Sequence, residues 1–225
     1  MNYLNTLLFG VFPYIALAVF LIGCWTRYDH GQFTWRAGSS QMLRKKNMRM
    51  ASVMFHVGII VIFFGHLVGL LTPHWAYEPF MTPGTKQILA ITVGGIAGVF
   101  CLIGGAMLFF RRITDPRIRA SSTVGDVLII ALLTAQVALG LLTILPTLGH
   151  LDGSTMLLFS SWAQGIFTFD ARAASYIAEV HWIYKTHIFL GLLIFLIFPF
   201  TRLVHMFSVP LEYFTRNAQV VRKRA

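Results

Sequence analysis

Four histidines lie in long apolar stretches of this sequence, where an ionisable side chain is costly and marks a functional hypothesis by default. His56 and His66 share one stretch, and His187 and His205 share another. One such histidine could equally be a neutral imidazole hydrogen-bonded to a neighbouring helix. Four of them, divided between two stretches, favour the ligands of a bound metal centre. The other histidines flank the stretches and receive no assigned role: His30, His74, His150 and His181.

The elements that must position these side chains are membrane helices. Hydrophobic residues make up 56% of the 225 residues and charged residues 12%, and the mean hydropathy is +0.71. This composition argues against a soluble globule, a disordered chain and a disulfide scaffold. A bilayer core is crossed by ~20 apolar residues in a helix. The sequence therefore predicts an all-α membrane protein, a single five-helix transmembrane bundle over residues 1–225, with spans at about 4–26, 50–72, 87–110, 125–147 and 184–208.

The basic residues predict the orientation of the bundle. Of 18 Lys and Arg, all but three lie after the first span, after the third span or from Arg202 onwards, and the exceptions are Lys86, Arg172 and Lys185. By the positive-inside rule, the amino terminus lies outside and the carboxyl terminus inside. The same rule accounts for the net charge of +10 without a nucleic-acid partner.

This orientation sorts the histidines into two cross-helix pairs at two depths. His56 and His205 lie near the inner face, and His66 and His187 lie nearer the outer face. Two facing helices that each supply an imidazole can clamp a low-spin haem iron. Helical geometry agrees only in part with this pairing. On the second span, His56 and His66 would be ~15 Å apart and turned by about 80° from each other. On the fifth, His187 and His205 would be ~27 Å apart on one stripe. We expect helix tilt and a bend at Pro199 to absorb this difference.

Other residues distinguish haem from alternative ligands. No C-x-x-C-H motif occurs, so the haem would be a non-covalent b type. A histidine-based metal transporter would gather ligands at one depth with carboxylates. The only Asp or Glu within the predicted spans is Asp126, at the inner mouth of the fourth, where it is expected to cap the helix. Glycines on the histidine-bearing spans could make room for a macrocycle or pack helices together: Gly58, Gly65, Gly69 and Gly191. The arginines at the inner boundary could bind haem propionates or simply follow the topology rule: Arg111, Arg112 and Arg202. The five tryptophans are expected to be interfacial anchors: Trp25, Trp35, Trp75, Trp162 and Trp182.

With the histidines placed, the chain resembles the gamma subunit of bacterial respiratory nitrate reductase over essentially its whole length. The resemblance rests on RYDHGQFTWRAGSSQML (27–43), FHVGIIVIFFGHLVGLLTPHW (55–75), RRITDPRIRA (111–120) and FPFTRLVHMFSVPLEYFTR (198–216). It implies two b haems, a distal one on His66 and His187 and a proximal one on His56 and His205. It further implies a quinol site, for menaquinol or ubiquinol, at Lys86 with His66 and Gly69. The resemblance assigns no role to the connection 147–183.

The resemblance implies a quinol-oxidising electron-transfer subunit that does not itself reduce nitrate. It also implies a bacterial inner membrane, with the amino terminus periplasmic and the carboxyl terminus cytoplasmic. Electrons would pass to a beta subunit with iron-sulfur clusters and a molybdenum-containing alpha subunit at the cytoplasmic face. Two alternatives stay open. The chain could be the cytochrome b subunit of another quinol-linked complex, serving sulfite reduction, formate or hydrogen, or more remotely a histidine-based metal transporter.

Overall fold

A computed structural model describes residues 3–208 and residue 215, and these residues contain helices and no strands. Five helices are long and apolar enough to cross a membrane, which confirms the predicted all-α, five-span architecture. We call them the first to fifth spans: Tyr3–His30, Met48–Leu71, Pro83–Thr114, Val124–Thr147 and Trp182–Phe200. The shorter elements are 3₁₀ turns at Gln32–Thr34, Phe198–Phe200 and Arg202–Ser208, and α-helices at His74–Tyr77, Pro116–Ala120, Ser154–Phe167 and Ala173–Tyr176.

The connections divide between the two ends of the bundle. Residues 31–47, 115–123 and 201–208 lie at one end, which we call the basic end, and residues 72–82 and 148–181 lie at the opposite end. Four cations used in the prediction of orientation lie outside the described residues: Arg216, Arg222, Lys223 and Arg224.

The spans pack in an open series rather than a closed ring. The second span packs on the third, the third on the fourth, the fourth on the fifth and the fifth on the first. Within the described part of the chain, the second and fifth spans make little or no close backbone contact. The second span carries His56 and His66, and the fifth span carries His187 and leads to His205. We call the gap between these two spans the slot.

Small residues bring the second and third spans close together. A Cβ at Gly58 would lie 2.7 Å from the carbonyl oxygen of Ala97 and 2.7 Å from Cβ of Cys101. Gly58 is therefore a helix-contact residue of the kind common in membrane bundles, rather than part of a space for a macrocycle.

We expect Gly58→Ala to destabilise the bundle by about 1–3 kcal/mol, the usual range for overpacking a tight contact. The control is Gly94→Ala on the third span, where an added Cβ would meet nothing within 4 Å. Thermal unfolding of the two purified variants in detergent, followed by circular dichroism, measures the difference. Equal melting temperatures for both variants would contradict a tight contact at Gly58.

A hydrogen bond from Trp162 holds the helix Ser154–Phe167 of the long connection to the first span. Pro13 has no N–H, so the carbonyl oxygen of Phe9, one turn earlier, lacks its usual helical donor. The indole Nε1 of Trp162 donates to that oxygen at 2.9 Å. Trp162 is 8% exposed, which corrects its predicted role as an interfacial anchor, whereas Trp25, at 76%, lies on the surface as expected.

The same helix also reaches the second span. Gln164 Nε2 donates to the carbonyl oxygen of Leu70 at 3.0 Å, and Ser160 Oγ donates to that of Gly69 at 3.3 Å. These are carbonyls of the last turn of the second span, which have no donor within their own helix. The connecting helix thus ties the first and second spans together at the opposite end.

The fifth span, predicted at residues 184–208 with a bend at Pro199, is interrupted rather than only bent. Its α-helix covers Trp182–Ile197, one 3₁₀ turn follows, and Thr201 is extended before the 3₁₀ segment Arg202–Ser208 begins. Pro199 cannot donate to the helical ladder, which accounts for the break. Arg27 of the first span donates to the carbonyl oxygens of Pro199 at 2.6 Å and Thr201 at 2.7 Å. The break therefore has a fixed geometry.

Candidate functional site

The structure brings the four intramembrane histidines together as two facing pairs. The ring centroids of His66 and His187 are 6.2 Å apart, with the ring planes inclined by 42°. Those of His56 and His205 are 6.3 Å apart, with the planes at 75°. The second span supplies one histidine of each pair, and the fifth span and its 3₁₀ continuation supply the other.

These separations suit a metal ion between each pair of rings. Metal–imidazole bonds are about 2.0–2.1 Å long. In a five-membered ring with bonds of about 1.33 Å, each nitrogen lies about 1.1 Å from the centroid. Two imidazoles on opposite sides of one ion therefore have centroids about 6.3 Å apart. Both pairs match this distance.

Hydrogen bonds fix which ring nitrogen is free in three of the four histidines. The Nδ1 atoms of His56, His66 and His205 donate to backbone carbonyls three or four residues earlier in the chain. The distances are 2.7 Å to Ser52, 2.9 Å to Ile62 and 2.6 Å to Arg202. Because a carbonyl only accepts, Nδ1 carries the proton and Nε2 keeps its lone pair. Metal-bound histidines usually have this arrangement.

The donor set fits a haem iron better than a free metal ion. Among the described residues, no three His, Cys, Asp or Glu side chains come close enough to hold a metal ion. Zinc sites take three or four protein ligands, whereas a haem iron needs only two axial ones. His56 and His66 are exposed on the slot side of the second span rather than packed into protein. A Cβ at Gly65 would meet nothing within 4 Å, so this glycine, unlike Gly58, does not lie against a neighbouring helix.

The basic end carries a positively charged cluster next to His205. Arg112 and Arg202 each lie 3.6 Å from the carboxylate of Asp126, so two cations share one anion. Asp126 also forms a capping box with Thr123 at the start of the fourth span, which confirms the predicted helix cap. The excess positive charge makes this cluster suitable for an anionic group such as a propionate.

Arg111 lies apart from this cluster. Its guanidinium donates to the carbonyl oxygens of Ser40, Arg44 and Lys46 in the connection 31–47. In the same region, Arg44 donates to the Asp115 carboxylate at 2.7 Å, and this hydrogen bond lowers the pKa of Asp115. The structure therefore brings Arg112 and Arg202 together and places Arg111 in contacts that hold the connection.

At the opposite end, Lys86 meets the predicted quinol-site glycine. Its Nζ donates to the carbonyl oxygen of Gly69 at 3.0 Å and lies 3.8 Å above the ring centroid of Tyr77. Gly69 lies one turn beyond His66 on the second span, so the two residues share a helix face. A half-buried ammonium group thus lies one helical turn from the His66–His187 pair.

Known proteins resemble the chain over nearly its whole length. The sequence model described as the nitrate reductase gamma subunit matches residues 5–224. The chain belongs to this family. It is 52% identical over 224 residues to respiratory nitrate reductase 1 gamma chain of Escherichia coli (strain K12), with 100% of both chains covered. It is 35% identical over 220 residues to the nitrate reductase gamma chain of Bacillus subtilis (strain 168), covering 97% of this chain and 98% of the relative.

Membership of the nitrate reductase gamma family, with the five apolar helices, identifies a multi-pass protein of the bacterial inner membrane. It also identifies a subunit of respiratory nitrate reductase, an oxidoreductase complex, because the relatives are named as gamma chains of that enzyme.

Some residues around the site of this gamma chain were not predicted from the sequence. Tyr77 and Ser160, which contact Lys86 and Gly69, lie in connections without a motif. Gln136 gave a usable signal, because it is a lone amide inside an apolar stretch, where polar side chains usually bond across helices. Its Nε2 donates to the backbone carbonyl oxygen of His187 at 3.1 Å.

Proposed function

We propose that this chain is the di-haem cytochrome b subunit of a quinol:nitrate oxidoreductase. It oxidises menaquinol or ubiquinol at the outer face and passes electrons by way of two non-covalent b haems to a cytoplasmic partner, where nitrate is reduced. The observation that carries the proposal is the presence of two cross-span histidine pairs with centroid separations of 6.2 and 6.3 Å.

In this proposal each pair holds one iron. His66 and His187 hold the distal haem, and His56 and His205 hold the proximal haem. When bound, haem would supply one-electron transfer between ferrous and ferric iron, and the two histidines of each pair would hold it. Arg112 and Arg202 bind propionates of the proximal haem as charge-assisted donors.

Lys86 binds and orients the quinol. Its ammonium has three protons, and with one given to Gly69 the others remain for a quinol oxygen. Oxidation of each quinol releases two electrons and two protons and leaves the quinone. The position of Lys86 at the opposite end of the bundle directs the protons to the compartment on that side.

The positive-inside rule places the basic end in the cytoplasm. Quinol is then oxidised on the outer side while its electrons cross towards the inside. This separation of charge conserves energy, about 2.3 kcal/mol for each charge that crosses 100 mV. The electrons pass to an iron-sulfur beta subunit and a molybdenum-containing alpha subunit, for which the basic connections 31–47 and 115–123 provide a docking face.

A reduced-minus-oxidised spectrum of the purified chain, with a pyridine haemochrome assay, tests the proposal. We expect low-spin b-type bands and two haems per polypeptide. A folded chain from haem-replete cells that carries no haem would overturn the proposal.

A further inference from the structure

Gln136 and His187 contact each other, and each has a buried polar atom without a hydrogen-bond partner. Among the described residues, such atoms occur in Asn5, Gln87, Arg111, Gln136 and His187. For Gln136 the unpartnered atom is the amide oxygen Oε1, an acceptor, and for His187 it is the ring nitrogen Nδ1. The Gln136 amide already contacts His187, since its Nε2 donates to the His187 backbone carbonyl at 3.1 Å.

His187 also differs from the other three candidate ligands. Each of them has Nδ1 bonded to a backbone carbonyl, whereas Nδ1 of His187 is the unpartnered atom. A ligating histidine normally donates this N–H to an acceptor, which fixes its tautomer and ring orientation. For His187, that acceptor has to come from a neighbouring helix.

The fourth span is built to approach His187 at this point. A Cβ at Gly140, one turn beyond Gln136, would lie 3.0 Å from Cε1 of the His187 ring. A Cβ at Gly191, one turn beyond His187, would lie 3.1 Å from Nε2 of Gln136. A glycine on each helix thus admits the other helix's side chain, and the two unpartnered atoms, Gln136 Oε1 and His187 Nδ1, belong to side chains packed at this one crossing.

We propose that Gln136 is a positioning residue for the distal haem ligand, with its Oε1 accepting a hydrogen bond from Nδ1–H of His187. An amide has one acceptor and two donors, so Oε1 can accept from Nδ1–H while Nε2 keeps its bond to the His187 carbonyl. The bond directs Nε2 of His187 towards the iron and makes the imidazole a more basic ligand, which favours the ferric state. This inference rests on the proposed function.

Two substitutions isolate the acceptor. Gln136→Leu and Gln136→Glu both lose the N–H that donates to the His187 carbonyl, but only the leucine variant also loses the oxygen acceptor. The matched control is Gln87→Leu, because Gln87 is likewise buried, donates to backbone carbonyls and has an unpartnered Oε1. Each variant is measured in the assembled complex in native membranes by optical redox titration, and His187→Tyr identifies the distal haem signal.

With Gln136→Leu, we expect the ferrous-to-ferric ratio of the distal haem at a fixed potential to rise about tenfold, equivalent to about 59 mV for one electron. With Gln136→Glu we expect no rise, and the proximal haem and Gln87→Leu should keep wild-type potentials. Loss of the distal haem in the leucine variant alone also supports the acceptor. An unchanged distal potential in Gln136→Leu, or equal rises or haem losses in both variants, would overturn the inference. Absence of haem from the wild-type chain would instead reject the proposed function.

Discussion

His187→Tyr is expected to leave one haem in a folded chain that no longer oxidises quinol. The substitution removes one of the two imidazoles at the distal position, whose ring centroids lie 6.2 Å apart in the native pair. The other pair, His56 and His205, is unaltered and keeps the proximal haem. Because the Lys86 site lies next to the distal pair, electrons from quinol lose their first acceptor. The haemochrome assay should fall from two haems per chain to one, and quinol-dependent nitrate reduction should fall to background.

His30→Tyr is the matched control for this experiment. The Nδ1 of His30 donates to the carbonyl of Thr26 at 3.0 Å, as the candidate ligands His56 and His66 do with their own helices, but His30 lies exposed at the basic end. We expect two haems and normal quinol oxidation in this variant. Two full haems in His187→Tyr would refute the distal pairing. Loss of haem in His30→Tyr would show that a histidine-to-tyrosine change can remove haem without removing a ligand, so haem loss in His187→Tyr would no longer identify a ligand.

The depth of each histidine could be predicted from the sequence, but the geometry of the inner pair could not. Hydropathy located the five spans, and span direction paired His66 with His187 and His56 with His205. Ideal helices disagree with that pairing, since one gap corresponds to ~15 Å and the other to ~27 Å. The structure removes the conflict at Thr201, where the fifth span breaks and His205 continues on a separate 3₁₀ segment. Pro199 signalled a bend, but the position after the bend depends on Arg27, a long-range contact.

The connecting helix Ser154–Phe167 was missed for a different reason. Its apolar run is too short to cross a bilayer, and a run of this length is equally typical of a buried or interfacial helix. Its position depends on side chains that donate to backbone carbonyls left free on other helices. Trp162 donates to the carbonyl oxygen of Phe9, and Gln164 donates to that of Leu70. Such pairings follow from the placement of whole helices, so a pattern within one segment does not reveal them.

The same limit applies to Gln136 and His187. The sequence pattern pairs the intramembrane histidines as ligands of a shared iron, but it does not reveal which groups hold each ring in place. Three of the rings are held by their own backbone, so local sequence is sufficient for them. The fourth lies against another helix through Gly140, and its environment depends on how two spans cross.

Lys86→Ala is expected to keep both haems and to lower kcat/KM for quinol about 10–100-fold, because a hydrogen bond to a charged group contributes about 1.5–3 kcal/mol. The side chain contacts the Gly69 carbonyl and the Tyr77 ring and neither of the histidine pairs, so its loss should not disturb the iron ligands. Reduction of both haems by dithionite should therefore be complete in the variant, while reduction by a quinol analogue should be slow. This separation assigns the defect to quinol binding rather than to haem assembly.

Lys185→Ala is the control for removal of a cation at the same end of the bundle. Lys185 is also half-buried and donates to a backbone carbonyl, that of Ala178 at 2.5 Å, but it lies on the fifth span and its partner is in the connection 148–181. A general effect of charge at the membrane surface would slow quinol oxidation equally in both variants. A specific site predicts that only Lys86→Ala is slow. If Lys86→Ala oxidised quinol at the wild-type rate, the substrate would have to bind elsewhere around the distal pair, and the half-buried lysine would be only an anchor for the end of the second span.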